Sequence, residues 1–229
     1  MPEVLIVAHG APANPAPQEA RLQALAAQVG ALLPGWQVRG ATLATEGALR
    51  AALAGMTAPI IYPFFMTEGW FTDAALPRAL ARAGVQARQL SPFGADPALP
   101  GVMASAAVKA AILAGLEPES SALLIAAHGS GASRKPRESA MAFAESLRRL
   151  TPFSRIVLGF LDEEPKLASA AGGLGPALCL PYFALRAGHV EHDIPLALAQ
   201  AGFTGPLLAA VGEHPGVPAL ITAALTKDV

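Results

Sequence analysis

The chain has 229 residues, of which 53% are hydrophobic and 14% charged, and it carries a net charge of −1 with a pI near 6.5. That composition supplies ample core material and little solvated tail, which argues against disorder. It also leaves no basic footprint of the kind a nucleic-acid backbone requires, so any anionic ligand has to be met by a local basic cluster. A mean hydropathy of +0.43 raises the question of a membrane, and residues 51–67 and 167–185 hold no charge. Pro59 and Pro63 interrupt the first window, and Gly172, Gly173, Gly175, Pro176 and Pro181 the second, so both read as helix, turn and buried strand rather than as a span. The N-terminus enters a strand with no basic stretch before it, which predicts no signal peptide. The single cysteine, Cys179 between Leu178 and Leu180, reads as a core thiol. These features fit a cytoplasmic protein with no membrane partner.

In chain order, residues 3–8 read as a strand ending at His9 and Gly10, followed by a proline-rich loop at 11–17 and a helix through about Leu33. A second strand is predicted over 37–43, a helix over 46–54 and a third strand over 59–65. A loop containing Trp70, a helix to about Ala83, a short strand near 86–90 and a helix over 98–113 complete the first half. Alternation of strand and helix predicts a parallel sheet covered on both faces.

The pattern then starts again. His9 and His128 lie 119 residues apart, as do Gly69 and Gly188, while Glu46 and Glu164, Pro63 and Pro181, Pro77 and Pro195, Gly84 and Gly202, and Pro97 and Pro215 lie 118 apart. A repeat of this length predicts two homologous α/β domains, 1–117 and 118–229, each a doubly wound parallel sheet of about four strands. The difference in spacing implies a one-residue slip around the loop after the third strand, which pairs Trp70 with His189.

The apolar run Ala122–Ala127 ends at His128, Glu164 follows the second strand of its half, and His189 stands in the loop after the third. With strand order 2-1-3-4, strand 1 lies about 5 Å from each neighbour, and all three loops open on one rim. Two imidazoles and a carboxylate form a ligand set suited to Fe²⁺, Co²⁺, Ni²⁺ or Zn²⁺. The same histidines also fit general bases, and polar groups at strand ends also serve to tie loops. The first half offers only His9, Glu46 and Trp70, an incomplete set. Arg134, Lys135 and Arg137 form the densest basic cluster and suit a clamp on ligand carboxylates; the alternative is a solvated helix start. Asp193, before Ile194 and Pro195, fits a helix N-cap. The aromatics Phe64, Phe65, Trp70, Phe71, Tyr182 and Phe183 gather at the third-strand ends, where they fit either a flat ligand or plain core. A hydrolase built on Ser130 has no GlyXaaSerXaaGly elbow to support it.

The strand ending HisGlySer at 128–130, GlyPheLeuAspGluGluPro at 159–165, and LeuProTyrPheAlaLeuArgAlaGlyHisVal followed by AspIlePro at 180–195 resemble the CbiX-type sirohydrochlorin chelatases of the class II chelatase superfamily. The resemblance covers both halves. It implies tandem flavodoxin-like, chelatase-like domains facing each other across a cleft, and insertion of Co²⁺, Fe²⁺ or Ni²⁺ into a tetrapyrrole without nucleotide, in siroheme or cobalamin biosynthesis. It implies metal-binding, proton-accepting roles for His128 and His189, with Glu164 as the metal-site carboxylate and Glu163 as its near rival. His9, Trp70, Ser130, Arg134 and Lys135 are then expected at the substrate. The first half departs from the family pattern, reading HisGlyAla at 9–11, which points to the second half as catalytic. A chelatase-derived carrier that binds tetrapyrrole or metal without turnover is the alternative.

Overall fold

A strand that is apolar on both faces has to be covered on both faces, and the first strand of each half is of this kind. In the computed structural model, which describes residues 1–227, β1 (Glu3–Ala8) and β5 (Ala122–Ala127) are the central strands of two parallel sheets. β2 (Gln37–Thr42), β3 (Ile60–Pro63) and β4 (Arg88–Gln89) join β1 in the order β2-β1-β3-β4, and β6 (Arg155–Phe160) and β7 (Ala177–Pro181) flank β5 as β6-β5-β7. The fourth place in the second sheet is taken by one parallel bridge, Cys179 to Leu207.

Helices α1 (Pro15–Leu32), α2 (Ala48–Leu53), α3 (Leu76–Arg82) and α4 (Leu99–Leu113) follow in the first half, and α5 (Lys135–Leu150), α6 (Leu167–Ala171), α7 (Ile194–Gln200) and α8 (Val217–Thr226) in the second. Leu5, Val7, Ile61, Leu76 and Leu80 bury one face of the first sheet, and Leu124, Ala126, Cys179, Ile194 and Leu198 bury the equivalent face of the second. Each buried leucine or valine contributes about 1.5–3 kcal/mol through removal from water. Over the two uncharged windows the chain forms α2 with β3 and α6 with β7; among the described residues no helix is long and apolar enough to cross a membrane.

The grouping into units differs from the expected cut at 117/118. One unit holds Met1–Asp96 together with the chain from Pro215, and the other holds Pro97–His214. The reason is helix packing: α8 lies on α1, and α4 lies on α5. The chain therefore changes units at Pro97 and again at Pro215, two equivalent positions of the repeat. A periodic sequence reveals that two helices are equivalent but not which copy each one covers.

The one-residue slip also falls elsewhere than expected. β1 and β5 are 119 residues apart, but β2 and β6 are already 118 apart, so the slip precedes the second strand. The loop after the third strand keeps 118: Asp73 donates its N–H to the Gly69 carbonyl at 2.7 Å, and Glu191 donates to Ala187 at 2.9 Å. Gly69 thus corresponds to Ala187, and the match with Gly188 is a coincidence of sequence.

Candidate metal centre

His128 and His189 meet. His128 leaves the end of β5 on a turn that needs Gly129 at φ +75°, as His9 needs Gly10 at +82° at the end of β1. His189 opens a π-helical turn, His189–Asp193, that runs straight into α7. Such turns widen one helical winding and recur at functional sites. The two Nε2 atoms face each other at 3.1 Å, with ring centroids 4.5 Å apart and planes at 90°.

The outer nitrogens are held as well. His189 Nδ1 lies 2.7 Å from Asp193 Oδ2, while His128 Nδ1 lies 2.8 Å from the Gly129 carbonyl and 3.4 Å from Asp162 Oδ2. Carboxylates and carbonyls only accept, so this geometry favours a hydrogen on each Nδ1, an arrangement that leaves each Nε2 with its lone pair. Two lone pairs at this separation repel unless a proton or a cation lies between them. With metal–nitrogen bonds of about 2.1 Å, donors 3.1 Å apart subtend an angle of about 95° at one metal. Both imidazoles are roughly half exposed, which leaves the remaining coordination positions open.

The expected third ligand is not with them. Glu164 is exposed, its Oε2 accepts the Lys166 N–H at 3.0 Å, and its carbonyl accepts from Arg137. Among the described residues no group of three His, Cys, Asp or Glu is gathered for a metal. Glu163 lies nearer: its Oε1 accepts the Ser130 N–H at 3.1 Å, its Oε2 pairs with Arg137 at 3.1 Å, and a Cβ on Gly129 would stand 2.7 Å from its Cγ. Glu163 and Arg137 therefore pin the loop that carries His128.

Asp193 does not cap α7. Its backbone is already helical, at φ −72° and ψ −41°, because the π turn precedes the helix without a break, and its carboxylate serves His189 instead. Ser130 accepts the N–H groups of Ala132 and Ser133 at 3.2 Å, closing the loop. Arg134 and Lys135 stand exposed at the start of α5, whereas Arg137 is turned away to Glu163. Tyr182 is buried with its hydroxyl 2.9 Å from Ser139 Oγ, and burial pushes the phenol up to about 12.

In the first unit the counterpart of His189 is Phe71, not Trp70. The π turn Phe71–Ala75 stands 118 residues before His189–Asp193, and His9 meets the Phe71 ring edge-on at 4.1 Å where His128 meets His189. Trp70 packs on Phe71 at 5.0 Å and is 63% exposed. Glu46 is exposed.

Fold and site together define a class: duplicated parallel α/β proteins in which the strand tips of one unit present a facing pair of imidazoles. A family model described as CbiX matches residues 3–110 and again 122–228, and the chain belongs to the CbiX family. Among solved structures, one described as CbiX, the terminal enzyme for biosynthesis of siroheme in denitrifying bacteria, is 47% identical over 99% of both chains, with a TM-score of 0.91. SirB from Bacillus subtilis with Fe³⁺ shares 18% identity at a TM-score of 0.76, covering 99% of this chain and 95% of that one. The sirohydrochlorin chelatase SirB from Bacillus subtilis subspecies spizizenii, in complex with cobalt, shares 17% at 0.71 with the same coverage. The two SirB likenesses bear on the fold alone. No curated protein matches the chain.

Proposed function

We propose that the protein is a sirohydrochlorin-type tetrapyrrole chelatase, which inserts a divalent metal ion, cobalt or iron, in siroheme or cobalamin biosynthesis. The observation that carries this reading is the 3.1 Å gap between two lone-pair-bearing Nε2 atoms at the second unit's strand tips. Full-length likeness to a CbiX structure supports it.

Insertion exchanges M²⁺ and a metal-free macrocycle for the metallated ring and two protons. His128 and His189 hold the ion at a cis angle, which leaves its other face to the pyrrole nitrogens. As the ion moves onto the ring, the freed Nε2 lone pairs accept the displaced protons and pass them to solvent. The site thus loses two positive charges as metal and gains two as protons, so its electrostatic balance is kept through the step. Arg134 and Lys135 bind the peripheral carboxylates of the ring. His9 and Trp70 offer aromatic surface in the first unit, suited to the face of a conjugated macrocycle. Ser130 acts through its loop rather than by contact. Glu164 is assigned no metal bond.

Purified protein incubated with sirohydrochlorin and Co²⁺, Fe²⁺ or Ni²⁺ tests this by absorption. Multiple turnovers with cobalt or iron are expected. Binding of ring and metal without turnover would replace the enzyme by a carrier.

A further inference from the structure

The internal repeat supplies a control for each side chain around the imidazole pair. At the constant spacing of 118, Phe71 stands for His189, Ala75 for Asp193 and Ala44 for Asp162. The backbones are alike: Ala44 donates to the His9 carbonyl at 2.8 Å and Asp162 to the His128 carbonyl at 2.9 Å, and both π turns run into a seven-residue helix. The same turns therefore form in the first half with alanine at both of these positions. Where the second imidazole is absent, both carboxylates are absent too.

We infer that Asp162 and Asp193 are positioning residues for metal capture, that Asp193 locks His189 as the Nδ1–H tautomer, and that His189 is in consequence the stronger of the two metal anchors. This rests on the chelatase reading of the imidazole pair. The asymmetry follows from the partners. Asp193 is a charged acceptor at 2.7 Å, which fixes the ring and the direction in which its Nε2 is presented. His128 leans chiefly on a neutral carbonyl at 2.8 Å, with Asp162 at 3.4 Å adding charge more than direction. Two carboxylates also match the double charge of the bound ion, so that the half-exposed site captures a divalent cation without neutralising it by direct ligation. A carboxylate outside the coordination sphere leaves the ion easier to release to the macrocycle.

The test uses the full-length, metal-free protein, labelled with ¹⁵N, and the variants Asp193→Ala and Asp162→Ala. Ring-nitrogen NMR reads the tautomer directly, and titration with Co²⁺ alone reads affinity. His189 is expected as Nδ1–H in the wild type and as a tautomer mixture in Asp193→Ala, with Co²⁺ affinity lower by about 10–100-fold. Asp162→Ala is expected to keep the His128 tautomer and to lose less affinity. Both variants should melt near the wild-type temperature, as the alanine-bearing twin turn implies. An Asp193→Ala protein whose His189 keeps its tautomer overturns the assignment, whatever its Co²⁺ affinity. Failure of the wild type to bind Co²⁺ would count instead against the chelatase reading, and the tautomer comparison would still decide the role of Asp193.

Discussion

The strand tips of the two units share a backbone and differ in chemistry. At one, His128 and His189 oppose lone pairs across 3.1 Å and each has a carboxylate behind it; at the other, His9 meets the edge of Phe71, and alanines stand where the carboxylates would be. The glycine turn after the first strand and the π turn after the third persist in both. Scaffold and side-chain chemistry are thus separable here: the loops are held by backbone geometry, and three side-chain differences separate an imidazole pair with its two carboxylates from an aromatic contact.

The comparison breaks first at the histidines. Replacing His128 or His189 by alanine should lower the rate of insertion into sirohydrochlorin by about 10²–10⁴-fold, the usual worth of a positioned proton acceptor. His9→Ala should cost far less in the same steady-state assay. Equal losses at His9 and His189 would mean that the two tips share the work.

It is sharpened by rebuilding. The triple change Phe71→His, Ala75→Asp and Ala44→Asp should add a second Co²⁺ site, so that equilibrium dialysis reads two ions per chain instead of one. A ratio that stays at one would show that strand-tip geometry alone does not make the site.

A smaller effect separates the neighbouring glutamates. Glu163→Ala removes the acceptor of the Ser130 N–H and the partner of Arg137, and should lower stability to urea by about 1–3 kcal/mol. Glu164→Ala gives up only an exposed bond to the Lys166 N–H and should stay within about 0.5 kcal/mol of wild type. Smallest of all is Cys179. Burial alone pushes its thiol up to about 12, so it stays protonated across the neutral range and should resist alkylation by iodoacetamide until the protein is unfolded.

Much of this was legible beforehand. His128 and His189 could be singled out because one ends a buried apolar run and the other follows a third strand at a matching place in the repeat. The fold class followed from strand–helix alternation, and the strand order 2-1-3 around each central strand is as expected. The likeness of Gly69–Trp70 to Gly188–His189 pairs Trp70 with His189 in the sequence; backbone hydrogen bonds assign Phe71 instead. Asp193 read as a cap because an aspartate before Ile-Pro has that composition, and a π turn is invisible to periodicity. Asp162 carries no signal of its own within GlyPheLeuAspGluGluPro. Comparing Ala44 and Ala75 with their partners at a strict spacing of 118 was the signal that would have found both aspartates.

The sequence by itself determined the duplication, the central strands and the half that carries two histidines at its strand tips, because burial and backbone conformation write short-range patterns into a chain. Which glutamate approaches the His128 loop, which nitrogen of each imidazole faces the other ring, and which copy the helices α4 and α8 cover were decided only by the tertiary structure. Those depend on side-chain direction and on packing between segments 30 or more residues apart, and no local pattern encodes either.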